Sequence, residues 1–272
     1  MAVIKNNIIF DKENNLAADI YFPNDTSSET KILIFWHGGG WFRGDKSSAK
    51  AIGVRLANAG FMTFVPNYRL APKNIFPAAH KDALNFVKWL LDSKFTDKDD
   101  QKNIVQIGSS SGGTMALYIA GKYGFPTVTW SSPVDYSEWM KKHEKVKPSY
   151  EAKEELGLNN RHDINNSFYK YFALTYAGSS DQKILQKLDA ASYDYKNLQQ
   201  LMMINSADEL TPLPTVLNFI QTLADQNHEV ELLVIKGKRH AMDYGPDYLD
   251  ESLDFLYQTI KRQNNSKSKL VY

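Results

Sequence analysis

The chain has 272 residues, enough for one large α/β domain with a sizeable core. Its formal net charge is +1 and no basic stripe is visible, so a nucleic-acid partner is not expected. It has no cysteine, which excludes disulfides, thiolate metal sites and a cysteine nucleophile.

The N-terminus lacks a basic segment followed by a long apolar run, and no stretch approaches the length needed to span a bilayer. A cytoplasmic protein with no membrane partner is the expectation. Residues 3–10 and 16–22 predict a hairpin around a polar turn, and 23–30 a polar loop. Lys31-Ile32-Leu33-Ile34-Phe35-Trp36 is apolar almost throughout, as in a central strand buried on both faces. It runs into His37-Gly38-Gly39-Gly40-Trp41. Helical character over 47–59 stops at Gly60, a C-cap signal. A strand at 61–65 leads into an irregular segment, 66–72. Pro77 opens a helix to about Leu91, with Ala83, Phe86, Val87 and Leu90 on one face.

The run 103–107 predicts a buried strand and 114–120 a helix. Between them lies Gly108-Ser109-Ser110-Ser111-Gly112. G-x-S-x-G in that setting is a nucleophile elbow, a turn tight enough to push the central Ser110 out above the sheet. The plainer reading is a Gly/Ser turn. Residues 126–130 predict a strand, after which the pattern changes. The stretch at about 131–198 is rich in Lys, Glu, Asn and Tyr and lacks strand alternation, so a mainly helical cap insertion is predicted. Strands at 200–205 and 230–235 and helices at 212–226 and 248–261 complete the pattern, and 262–272 is expected to be a frayed polar tail. Strands alternating with helices imply an α/β fold. The expected form is one domain over 1–272, a mostly parallel sheet with helices on both faces.

In such a sheet, sites form where loops leave the C-terminal ends of the strands. Ser110 lies at that edge. A serine hydroxyl needs a base, and the base a carboxylate to hold its tautomer. Of the six histidines, His228 precedes a strand and falls at the wrong edge. His80 lies on a helix, and His143 and His162 lie in the cap. His240 follows the last strand and is the candidate base. Asp208 follows the 200–205 strand and is the candidate acid. Its plainer reading is an acidic residue at a helix start, and neighbouring Glu209 competes with it. Asp243 and Asp247 come after His240 and break the chain order Ser, acid, His. The glycines after His37 free the backbone to aim N–H groups inward. Such groups can bind an oxyanion together with the amide of Ser111. A phosphate cradle is the weaker reading, because no Walker-type Lys-Ser/Thr pair follows.

Taken together, His37-Gly38-Gly39-Gly40-Trp41, Gly44-Asp45-Lys46, Tyr68-Arg69-Leu70-Ala71-Pro72, Phe76-Pro77-Ala78 with Asp82, the elbow, Asp208 and His240 resemble the α/β-hydrolases of the hormone-sensitive-lipase-like and BD-FAE-like esterase group. The resemblance implies Ser110 as nucleophile, His240 as base, Asp208 as acid, and Gly39, Gly40 and Ser111 as oxyanion donors. It also implies that His37 orients the glycine loop. Ser109 departs from the acidic residue often found before the nucleophile, and the resemblance does not extend to the cap or the tail.

The expectation is a serine carboxylic-ester hydrolase acting on small, short-acyl esters through an acyl-enzyme, with no cofactor and no metal. An arylformamidase-like or a feruloyl or acetyl esterase activity is the alternative within enzymes. A non-catalytic ligand-binding relative is the alternative outside them, although such proteins typically lose a triad member and here all three candidates stand. A homo-oligomer is compatible with the sequence.

Overall fold

The computed structural model describes residues 3–24 and 31–268. Most of the loop expected at 23–30 and the end of the tail, 269–272, lie outside the described residues. Strands β1 (Val3–Asp11) and β2 (Leu16–Phe22) pair antiparallel. Strand β3 (Lys31–Trp36) has two buried faces: Ile32, Ile34 and Trp36 pack on one side, Leu33 and Phe35 on the other. That explains its lack of alternation. A 3-10 turn (Lys46–Ala49) precedes helix α1 (Lys50–Asn58). Asp45 caps the turn by accepting the Ser47 N–H at 2.8 Å. Gly60, at φ +89°, lies just past the helix and donates its N–H to Ala57 O at 3.0 Å.

Next come β4 (Phe61–Pro66), α2 (Ala78–Asp92), β5 (Ile104–Ser109), α3 (Ser111–Tyr123) and β6 (Thr127–Trp130). Four helices then follow without a strand: α4 (Ser137–Lys142), α5 (Ala152–Leu156), α6 (Arg161–Ala177) and α7 (Gln182–Leu188). The chain returns to the sheet with β7 (Leu201–Ser206), α8 (Leu213–Asp225), β8 (Val230–Ile235) and α9 (Leu249–Ser268). Helix α9 runs further than expected. Residues 262–268 contain no glycine or proline to stop it.

The eight strands form one sheet in the order β1-β2-β4-β3-β5-β6-β7-β8. Strand β2 is antiparallel to both neighbours, and the sheet is parallel from β4 to β8. Helices α1 and α9 cover one face, with Ile52, Leu56, Leu253 and Leu256 in a common cluster. Helices α2, α3 and α8 cover the other. The buried Gln106 on β5 is fully used: it accepts Trp36 Nε1 at 2.8 Å and donates to Ala116 O at 2.9 Å and Thr127 Oγ1 at 2.8 Å.

Register sets where chemistry can gather. Trp36 pairs with Gly108, Ser109 with Trp130, Trp130 with Ile204, and Ser206 with Ile235. The C-terminal ends of β3, β5, β6, β7 and β8 are therefore level, and the loops leaving them converge. No described helix is long and apolar enough to cross a membrane.

The helical segment between β6 and β7 is tied down at both ends. Asp189, just past α7, accepts the N–H groups of Tyr136 at 2.6 Å and Ser137 at 3.0 Å, and the Ser137 hydroxyl. Burial pushes its carboxyl up to about 6, against these donors. Trp41, on the loop after β3, stacks on Tyr176 of α6 with centroids 4.5 Å apart. Tyr136, Tyr169 and Tyr176 are fully buried, so these rings anchor the segment to the body.

Candidate active site

Ser110 sits between the end of β5 and the start of α3 at φ 51° and ψ −125°, a conformation that non-glycine residues rarely adopt. The turn is held by Ser110 N–H to Trp130 O at 2.8 Å and by Gly113 N–H to Ser110 O at 2.7 Å. A Cβ on Gly108 would stand 2.5 Å from Gly112 O, and one on Gly112 only 2.2 Å from Trp36 O. Both glycines are required because strand and helix backbones meet there. The N-terminal end of α3 points its free N–H groups and positive dipole end at the site.

His240, in the loop after β8, places Nε2 2.9 Å from Ser110 Oγ. Its Nδ1 meets Glu209 Oε2. The carboxylate that meets the histidine is thus Glu209, which corrects the assignment to Asp208. Asp208 is exposed, and its side chain turns away to Lys238 Nζ at 3.4 Å. The physical cause is the turn after β7. Asp208 N–H donates to Gly237 O at 3.1 Å, and Ser206 N–H donates to Glu209 Oε1 at 3.1 Å. The chain folds back so that the second acid, not the first, lies over the strand ends. The Glu209 carboxylate is fully buried.

Ser131, at φ 52° just past β6, backs this arrangement. Its hydroxyl donates to Glu209 Oε1 at 2.6 Å and accepts Ala241 N–H at 2.9 Å. It also lies 2.8 Å from Tyr244 Oη, whose hydroxyl donates to Ile204 O at 2.6 Å. One side chain thereby ties the acid-bearing loop to the histidine-bearing loop. Nothing in the sequence around Ser131 singles it out, because its partners come from residues far along the chain.

The other histidines lie elsewhere. His80 is buried in α2 between Tyr176 Oη at 2.8 Å and Tyr193 Oη at 3.0 Å, and burial lowers its pKa to about 3. His228 precedes β8 at the opposite edge of the sheet. His37 stacks on Tyr68, centroids 4.3 Å apart, and its Nδ1 lies 2.8 Å from Gly38 O. Tyr68 Oη donates to His37 O at 2.8 Å. Burial holds the His37 imidazole neutral, with its pKa lowered to about 4. These contacts fix the root of the glycine loop.

Within that loop Gly39 has φ +122° and Gly40 φ +60°. A Cβ on Gly39 would lie 2.0 Å from Arg43 O. Arg43 N–H donates to Gly39 O at 3.1 Å, closing a tight turn. Gly39, Gly40 and Ser110 line one cleft of about 410 Å³ with Arg43, Leu210, His240, Met242, Asp243 and two rings of α6, Phe168 and Phe172. The α6 rings were not separable by sequence from their anchoring neighbours. No cluster among the described residues is arranged to hold a metal ion.

The family model of BD-FAE matches residues 18–125, and that of the prolyl oligopeptidase family matches residues 77–263. Probable carboxylesterase 6 of Arabidopsis thaliana is 25% identical over 260 residues, covering 89% of this chain and 74% of the relative. Gibberellin receptor GID1C of the same plant is 29% identical over 132 residues, covering 42% of this chain and only 38% of the receptor. Among solved structures, esterase B from Lactobacillus rhamnosis superimposes with a TM-score of 0.74 at 15% identity, covering 99% of this chain and 88% of that one.

Proposed function

We infer the function from the family: the chain belongs to the prolyl oligopeptidase family and is an α/β-hydrolase of the hormone-sensitive-lipase-like and BD-FAE-like esterase group. From that premise we propose that Ser110, His240 and Glu209 act as nucleophile, base and orienting acid in the hydrolysis of small, short-acyl carboxylic esters. The observation that carries this reading is the continuous contact from Ser110 Oγ through His240 to a buried carboxylate.

Ser110 Oγ attacks the ester carbonyl as His240 Nε2 takes its proton. Glu209 holds Nδ1–H and with it the tautomer that leaves Nε2 free to accept. The N–H groups of Gly39, Gly40 and Ser111 receive the oxyanion. His240 then protonates the leaving alcohol, and water repeats the sequence on the acyl-enzyme to release the acid. The helical segment between β6 and β7 serves as a cap, and Phe168 and Phe172 wall the acyl pocket.

Turnover separates this reading from the ligand-binding role that the receptor relative represents. The test is kcat/KM on p-nitrophenyl esters from acetate to decanoate, for the wild type and Ser110→Ala. Each buried methylene is worth about 0.8 kcal/mol, so an open tunnel gives a steady climb, and a walled pocket a maximum at roughly two to six carbons. Ser110→Ala should lose on the order of 10⁴-fold or more in kcat. An active Ser110→Ala protein overturns the assignment, and a climb through decanoate overturns the short-acyl part.

A further inference from the structure

Arg43 follows the glycine loop and lines the same cleft as Ser110 and His240. Its guanidinium lies over three rings, 5.4 Å from the centroid of Phe42, 5.6 Å from Tyr150 and 5.5 Å from Phe168. It donates Nη1 to Tyr150 Oη at 3.0 Å. Among the described residues its side chain makes that hydrogen bond and no ion pair. Arg69, by contrast, is matched to Asp82 at 2.6 Å, and Arg239 to Asp247. The acidic side chain on the cleft wall, Asp243, is exposed, and its carboxyl accepts His240 N–H at 3.3 Å.

Arg43 is exposed on the cleft wall, and the rings on several sides restrict its guanidinium, so less freedom is lost when it fixes an anion. Its fork still has unused N–H groups, and their planar spacing fits a carboxylate. A neutral ester leaves that charge unanswered. We propose that Arg43 is a specificity-determining residue that binds a carboxylate carried by the substrate, so that preferred esters include half-esters of short dicarboxylic acids. This rests on the esterase reading above.

The test compares matched pairs of esters. Monoethyl glutarate against ethyl valerate places the charge on the acyl side. Butyryl glycolate against propyl butyrate places it on the alcohol side. Wild type, Arg43→Gln and Arg43→Lys are assayed by alcohol or acid release, with folding checked by circular dichroism. The expected result is a wild-type preference for the anionic member of at least one pair. That preference, taken as a ratio of kcat/KM values, should fall about 10- to 100-fold in Arg43→Gln, the range for losing hydrogen bonds to a charged group. Arg43→Lys keeps the charge without the fork and should fall between. Equal losses on both members of each pair would make Arg43 a clamp between the glycine loop and α6, and the proposal is overturned. A wild type that cleaves p-nitrophenyl butyrate but shows no anionic preference overturns this inference alone. One that cleaves no ester overturns the esterase reading with it.

Discussion

Glu209 and His240 stand 31 residues apart and meet carboxylate to imidazole, while Asp208, the adjacent acid, faces solvent and Lys238. Two neighbouring acids thus have opposite surroundings. Glu209→Ala should lower kcat by about 10³- to 10⁴-fold, as for loss of a triad acid. Asp208→Asn breaks only an exposed ion pair and should keep kcat within about threefold. Both variants are measured on p-nitrophenyl butyrate. The reverse ranking would mean that the turn after β7 is wound the other way.

Ser131 offers a finer test, because it does not line the cleft. Ser131→Ala removes the hydroxyl that donates to Glu209 and leaves Ala241 N–H without its acceptor. Losing a hydrogen bond to a charged group predicts a kcat about 10- to 100-fold lower. KM should hardly move, since the cleft wall is untouched. A drop in Tm with normal kcat would assign Ser131 to structure alone.

Gly39 is the most crowded position of the glycine loop. At φ +122°, a β-branched side chain is strained, and its Cβ would collide with Arg43 O. Gly39→Val should displace the loop and its N–H groups. Loss of one oxyanion donor corresponds to about 10²- to 10³-fold in kcat. Stopped assays with a circular dichroism control decide it, and near-normal turnover would leave the glycines a packing role only.

The buried imidazoles make stability depend on pH. His37 and His80 titrate at about 4 and about 3 in the folded chain, both lowered by burial. An unfolded histidine titrates near 6.5, so between these values the unfolded chain holds protons that the folded chain does not. Their contribution is full above pH 6.5 and is lost as pH falls toward 4. Asp189 works in the opposite sense, because its raised carboxyl takes a proton first in the folded chain below about 6. Two groups outweigh one, and stability should fall on balance as pH drops through this window, on the order of 1 kcal/mol per pH unit. Urea unfolding at pH 7.5, 6 and 5 measures it. A flat profile would mean that the imidazoles are charged in the folded state.

Much of the molecule was legible in the residues themselves. The apolar run of β3, the glycines around Ser110 and the three after His37 each encode a local backbone demand. Strand order along the chain also placed His240 at the same edge as Ser110 and His228 at the other. These features depend on local conformation and on the general rule for parallel sheets. The helical character of 131–198 was likewise local, being a change of period and composition. What only the tertiary structure decided is which atoms meet. Asp208 and Glu209 are both acids in one turn, and the direction of that turn depends on Asp208 N–H finding Gly237 O on the neighbouring loop. Ser131 gains its place through Glu209, Ala241 and Tyr244, all of them at least 78 residues away. The rings of α6 divide into buried anchors and cleft walls according to how the helix is rotated against Trp41 and Phe42. Residue type and spacing prescribe the turn, the strand and the edge, but side-chain pairing between distant segments is settled only when packing brings their backbones together.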